Sequence, residues 1–347
     1  MRRLFQWSVV FTVLAVGTLA LPARAEVAPE IAADALASEV TEAAAKPDVW
    51  NFVATVGSSV AFGDNRRVVG QPTGSSWLMG LQFFGGAYLA YGRNEWRNEL
   101  SLKESFSRTP VIPEFVKASD EVKLDSVYIY RFLPPWLGVF GRFGLATALL
   151  EGKDVRPTAV DYLIPGRTTA FTRNRLKLTD PFKPFNLKES IGLVYTPIAG
   201  DLVTVEARAG FGGRHSFADG QLVLADKPET VGQIEIGELS TVHQAGAEAT
   251  LGAWGSAYDK RVTYKAQFEA MTPVVHSSLA AGDDRNAAEL TNIDLLATLS
   301  FKLVSWASLD YQFKVMREPQ VLDEWQLQNS LLLTFSYSLV DTKAASK

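Results

Sequence analysis

Between residues 50 and 337 apolar and polar side chains alternate with a period of two, in twelve separate segments. That spacing places alternate side chains on opposite faces of a β-strand. In the first segment Trp50, Phe52, Ala54, Val56, Val60 and Phe62 share one face, and Asn51, Thr55 and Ser59 the other. Segments 77–91 and 96–106 repeat the pattern, with Leu100 and Leu102 opposite Arg97, Glu99 and Lys103. The fourth and fifth set Val122, Leu124, Tyr128, Tyr130 and Phe132 against Lys123, Asp125 and Arg131, and Val139, Phe143 and Leu145 against Arg142. The sixth (185–195) and seventh (202–211) are joined by a short turn, with Glu206 and Arg208 on the polar face of the seventh. The eighth (241–254) carries Glu248, the ninth Lys265 and Glu269, the tenth (292–302) Asp294, and the eleventh Asp310 and Lys314; the twelfth spans 326–337. Leu296, Leu332 and Val127 have polar-face parity and Glu104 and Glu189 apolar-face parity, so a local shift of register is expected there.

The connections alternate in length: long at 63–76, 107–120, 151–183, 214–238 and 272–290, short at 92–95, 133–136, 197–201, 255–260 and 304–306. Long loops on one side and tight turns on the other are the pattern of an outer-membrane barrel, and an even strand number puts both termini on the short-turn side. Tryptophan gives a further test. Trp50, Trp77, Trp96, Trp136, Trp306 and Trp325 open segments and Trp254 closes one. Such placement suits aromatic girdles at the two membrane interfaces, whereas a soluble β-sandwich buries Trp in mid-strand. The expected fold is therefore all-β, a transmembrane antiparallel β-barrel of about 12 strands over residues 48–339.

The chain starts with Arg2 and Arg3, an apolar stretch over 4–21, and Ala23-Arg24-Ala25. This reads as a secretory signal peptide, residues 1–25, cleaved near Ala25. Residues 26–47, rich in Ala and Glu, read as a short helical or mobile periplasmic arm that could be a spacer, a lumen plug or a contact for a periplasmic partner, and 340–347 as a polar tail. After residue 25 there is no uncharged apolar run of about 18 residues, which excludes a bundle of membrane helices. Charged residues at 21% and aromatic residues at 11% exclude an intrinsically disordered chain. The absence of Cys removes disulfides, thiolate metal sites and a cysteine nucleophile. Cleavage would take three of the 34 basic residues and none of the 38 acidic ones, leaving a net acidic chain with no electrostatic case for a nucleic-acid partner.

If the barrel closes, the polar faces converge on its lumen. The expected lumen lining is Arg97, Glu99, Lys103, Lys123, Asp125, Arg131, Arg142, Glu206, Arg208, Glu248, Lys265, Glu269, Asp310 and Lys314. Both signs on neighbouring strands suit either a narrow charged solute path or a packed lattice of ion pairs. No catalytic residue and no cofactor is expected. Of the three His, His243 has lipid-facing parity, while His215 and His276 lie at loop edges. No third group that would orient a His–Ser pair is evident, and neither G-x-S-x-G nor H-E-x-x-H occurs. Gly282-Asp283-Asp284 lacks the spaced acids of a calcium loop, so no metal site is expected.

Three stretches carry a family resemblance: Trp77 with Gly80; Tyr91-Gly92-Arg93-Asn94-Glu95-Trp96-Arg97-Asn98 leading into Leu100 and Leu102; and Ser119-Asp120-Glu121-Val122-Lys123-Leu124-Asp125-Ser126 with Tyr128 and Tyr130. With most of 77–339 in comparable strand order, the chain resembles the uncharacterised Gram-negative outer-membrane barrels catalogued as domain of unknown function 3078. It departs from them where Glu95-Trp96-Arg97 replaces a Gly-rich segment. The resemblance implies an outer-membrane barrel and supplies no activity or site residue.

Three functional classes follow. The first expectation is a passive channel or solute-transport barrel with a charged lumen. The second is a non-conducting structural or adhesive barrel that uses its outer loops, 151–183 above all. The third is an outer-membrane lipid hydrolase. The expected partners are outer-membrane lipid and the barrel-insertion machinery. Because a tail follows Phe335 and Tyr337, those two aromatics are the expected internal insertion signal.

Overall fold

The computed structural model describes residues 49–67, 72–134, 136–164, 170–225, 233–279 and 284–341. The expected signal peptide, the arm, Gly282, Asp283 and residues 342–347 lie outside the described residues. Among the described residues sixteen strands form: β1 (Trp50–Asn65), β2 (Gly74–Tyr91), β3 (Asn94–Arg108), β4 (Val116–Leu133), β5 (Leu137–Thr147), β6 (Gly152–Leu163), β7 (Phe171–Thr179), β8 (Phe185–Ile198), β9 (Thr204–Phe217), β10 (Gln221–Leu224), β11 (Gln233–Leu239), β12 (Val242–Ala257), β13 (Val262–His276), β14 (Asn292–Val304), β15 (Ala307–Glu318) and β16 (Leu322–Asp341). Twelve of them close a barrel in the order β1-β16-β15-β14-β13-β12-β9-β8-β5-β4-β3-β2. Its neighbours are antiparallel throughout. Each alternating segment of the sequence falls on one barrel strand, with Leu202, Val203 and Thr241 just ahead of β9 and β12. The strands outrun the segments: β9 continues to Phe217, and β16 takes in residues 340 and 341, which composition assigns to the tail.

Two long connections are not simple loops. Residues 151–183 contain β6 and β7, and 214–238 contain β10 and much of β11; together they build a four-stranded sheet outside the barrel, in the order β10-β11-β6-β7 with β11 parallel to β6. Tyr162, Leu176 and Ile236 form its core, flanked by Val160, Phe171, Leu178 and Leu222. The outer connection between β15 and β16 is only Pro319-Gln320-Val321, so the run of long outer loops ends there.

The barrel is apolar outside and polar inside. Ile191 (67% exposed), Phe211 (72%), Leu81, Leu251, Leu331 and Tyr337 stand on its exterior. In water such a belt would be an aggregation site; against hydrocarbon it is the stable arrangement, and closure pairs every strand edge. Trp50 and Trp96 pack together at the short-turn end, Trp306 stacks on Phe335, and Trp136 is exposed there; Trp77 packs on Phe62, and Trp77 and Trp325 mark the other end. Trp254 departs from the girdle expectation. It shares the parity of Gln244 and Glu248, both buried inside, and faces the lumen cavity, lying over Gly252.

Of the expected register shifts, one lies beside Glu104, where β3–β4 pairing is interrupted between Ser105 and Phe106, and none occurs at Val127, Glu189, Leu296 or Leu332. β4–β5 pairing runs unbroken from Val122 to Arg131 and β8–β9 pairing from Phe185 to Tyr195. Val127 points inward and packs with Ile129, Phe140 and Val194. Glu189 points outward, 52% exposed. The β8–β9 seam is tight: a Cβ on Gly210, opposite Gly192, would lie 2.1 Å from the Ile191 carbonyl oxygen.

Candidate functional site: the ion-paired lumen

Two carboxylates organise the interior. Glu206, on β9, is 3% exposed and receives three arginines. Arg208 donates from Nη2 and Nε at 2.6 and 2.9 Å, Arg97 of β3 at 3.2–3.4 Å, and Arg131 of β4 at 3.5 Å. Glu95 accepts from Arg97 at 2.7 Å and also from Arg131, whose Nη1 donates to Thr196 at 3.1 Å. Because β3 and β9 are four strands apart in the barrel order, the Arg97–Glu206 bridge crosses the lumen.

Glu269, on β13, is the second hub. Arg142 of β5 donates to it at 2.8 Å, Lys188 of β8 at 3.2 Å, and Arg214 of β9 also reaches it. Each cation has a further carboxylate: Asp125 for Arg142 at 2.8 Å, Glu318 for Arg214 at 3.5 Å, and Asp294 for Lys188 at 3.9 Å. Buried charges persist only when paired and hydrogen-bonded in this way. The opposite wall, on β1, β2, β15 and β16, presents buried Thr55, Ser59, Gln82, Ser308, Gln312 and Thr334. Charge therefore lines one side of the lumen and small polar groups much of the other.

A cavity of about 310 Å³ lies within the barrel. Of the residues expected in the lumen, Arg97, Glu99, Lys123, Asp125, Arg142, Arg208, Lys265, Glu269 and Lys314 line it. Arg131 and Glu206 are buried beside it in the first ion cluster. Lys103, Glu248 and Asp310 are buried outside its lining; Asp310, 1% exposed, accepts from Ser308 at 2.9 Å and from Ser300. Sequence reasoning missed Glu95, Lys188, Arg214 and Glu318 as lumen groups. Lys188 and Glu95 carry the correct parity, but Glu95 sits in a turn segment and Arg214 and Glu318 lie beyond the segments recognised by alternation.

A second polar cluster sits on the exterior at the long-loop end. Glu189 of β8 accepts from His215 Nε2 at 2.9 Å, and His215 Nδ1 lies 2.9 Å from His243 Nδ1 on β12. Glu189 is the orienting group that sequence reasoning did not find. The neighbouring Ser277 Oγ accepts from the His243 backbone N–H at 2.8 Å and donates to the His243 carbonyl at 3.4 Å. Among the described residues no three His, Cys, Asp or Glu side chains converge on a metal position.

A closed antiparallel barrel with an apolar belt and an ion-paired interior belongs physically to the membrane-spanning β-barrels. No protein-family profile and no curated protein matches the chain. Among solved structures it is similar to the translocator domain of the autotransporter NalP from Neisseria meningitidis, at 10% identity and a TM-score of 0.36, covering 88% of this chain and 98% of that one. It is also similar to an outer-membrane channel from Pseudomonas putida F1, at 10% identity and a TM-score of 0.37, covering 85% and 96%.

Proposed function

We propose that this protein is a Gram-negative outer-membrane channel of narrow bore, held closed at rest by ion pairs across its lumen and passing small polar solutes. The observation that carries this reading is the mixed-charge cavity inside the barrel, beside two cross-lumen ion clusters. A barrel whose only task is structural has no need of a solvent-sized, charge-lined space at its centre. The apolar exterior and paired Trp girdles support the membrane, and the leader-like start supports export. Under this reading nothing in the lumen acts as a catalyst, and no cofactor is called for.

The test is single-channel recording of the purified full chain in planar bilayers, with insertion verified independently. Wild type should give small, infrequent steps. Arg142→Gln and Glu206→Gln should raise open time and shift ion selectivity in opposite directions. Silence in all three would sink the channel reading in favour of a packed, non-conducting lattice. In that case function belongs to the external sheet of β6, β7, β10 and β11, whose separate core supports the surface-binding alternative.

A further inference from the structure

Glu189, His215 and His243 lie on three consecutive barrel strands, β8, β9 and β12, and point outward at the rim that carries the long connections. His215 and His243 are direct cross-strand partners. The surrounding exterior is apolar, with Ile191, Phe211 and Val275 exposed nearby on the same strands and on β13. Ionisable groups at such a position are costly unless they serve something.

With Glu189 ionised, and therefore acceptor only, the contact at 2.9 Å suits a neutral His215 with its proton on Nε2, the tautomer that leaves a lone pair on Nδ1. With His243 as its Nε2–H tautomer as well, two unprotonated Nδ1 atoms stand 2.9 Å apart. Metal–nitrogen bonds of about 2.0–2.1 Å put cis ligands about 2.8–3.0 Å apart at a right angle and about 3.3–3.4 Å apart at the tetrahedral angle. The observed spacing suits the right angle, the geometry of tetragonal nitrogen and oxygen sites for Cu(II) or Ni(II). Glu189 on the remote nitrogen of His215 fills the place of the carboxylate that fixes tautomer and raises ligand basicity in metal-bound histidines. With both imidazoles neutral, the trio carries the single negative charge of Glu189, which draws a cation and repels an anionic lipid headgroup.

We propose that His215 and His243 form an external bis-imidazole site for a tetragonal divalent transition-metal ion, oriented by Glu189, with solvent oxygens in the remaining positions. An ion there would tie β9 to β12 at the base of the connection that holds β10 and β11.

The probe is Cu(II) added to the refolded full chain in detergent micelles, followed by electron paramagnetic resonance and by competition with a chelator of known affinity. Wild type should bind one ion with a two-nitrogen signature. His215→Ala and His243→Ala should each abolish that signature, and His276→Ala should leave it intact. Glu189→Gln should keep both nitrogens and weaken binding by about 10–100-fold. Outward-facing substitutions are checked for intact barrel by circular dichroism. Unchanged two-nitrogen binding in either His215→Ala or His243→Ala, its loss in His276→Ala, or its absence from wild type would overturn the proposal. So would binding of phosphate-bearing lipid vesicles that depends on the two imidazoles and is unaffected by Cu(II).

Discussion

Replacing Glu269 by Gln keeps the shape of the side chain and removes the charge on which Arg142, Lys188 and Arg214 converge. At about 3 Å and an effective dielectric of about 20, each contact has a gross Coulomb energy of about 5 kcal/mol, most of it offset by desolvation. Breaking a buried pair by removing one partner costs about 3–5 kcal/mol. Here the three cations retain Asp125, Asp294 and Glu318, so the lower end, about 3 kcal/mol, is expected. Glu206→Gln is the informative contrast. Among the described residues Arg208 has an ion pair within 4 Å only with Glu206, Asp125 acting on it from farther away and the Phe140 ring lying at 5.5 Å, so a loss toward the upper end, about 5 kcal/mol, is expected. Urea unfolding of the refolded barrel in micelles, read by tryptophan emission, gives both values. A larger loss for Glu269→Gln than for Glu206→Gln, or losses below about 1 kcal/mol in both, would refute the hub argument.

Four further outcomes follow from the same geometry. Burial, and then its hydrogen bond to Asp154, push the Tyr162 hydroxyl up to about 12, so the stability it gives the external sheet is complete below about pH 10 and lost as pH rises through 12; protease resistance of residues 148–184 should show this alkaline step, and Tyr162→Phe should remove it. Leu176→Ala should destabilise that sheet by about 2–5 kcal/mol, seen as faster nicking of the external connections while the barrel's unfolding midpoint stays put. In lipid, brominated acyl chains should quench Trp306 and spare Trp254, whereas a small aqueous quencher in a conducting variant should reach Trp254. Gly210→Ala should block assembly of the heat-resistant barrel, because its Cβ would collide with the β8 backbone and not with a side chain that can turn away.

Alternation made the barrel legible because every strand has hydrocarbon on one side and polar surface on the other, so each residue reports its face directly. The same rule breaks where a face is not uniform. Val127, Ile129, Phe140 and Val194 are apolar yet inward, since a lumen narrow enough to pack side chains can hold a hydrophobic cluster beside its ion pairs. Trp254 reads as a girdle residue by position along its strand, but its parity, shared with Glu248, decides its direction. β7 also alternates, Arg173, Arg175 and Lys177 against Leu176 and Leu178, yet β10 and β11 are too short to stand out, and the pairing of β11 with β6 spans some seventy residues of chain. The charge-bearing strands were visible, but which carboxylate meets which cation was not. Arg97 and Glu206 are 109 residues apart, and Arg142 and Glu269 are 127 apart, distances that only closure of the barrel collapses.

How the lumen is narrowed bears on whether it can open. A bore closed by inserted backbone opens only when that segment leaves; one closed by long side chains can open by rotamer change, with every strand pairing intact. Arg97, Arg131, Arg142 and Arg214 narrow this lumen from strands β3, β4, β5 and β9, and they meet their carboxylates by reaching inward from an unbroken wall. Glycines make room for this layer: a Cβ on Gly212 would lie 2.6 Å from the Glu248 carboxylate, and one on Gly57 2.4 Å from the Gln82 amide. The apolar cluster of β4, β5 and β8 holds one side firm, while the small polar groups of β1, β2, β15 and β16 leave the other side free of bulky closure. Under the proposed channel function, a charged solute entering the cavity would exchange partners with an arginine already there, replacing one ion pair with another, so that passage would expose no uncompensated charge.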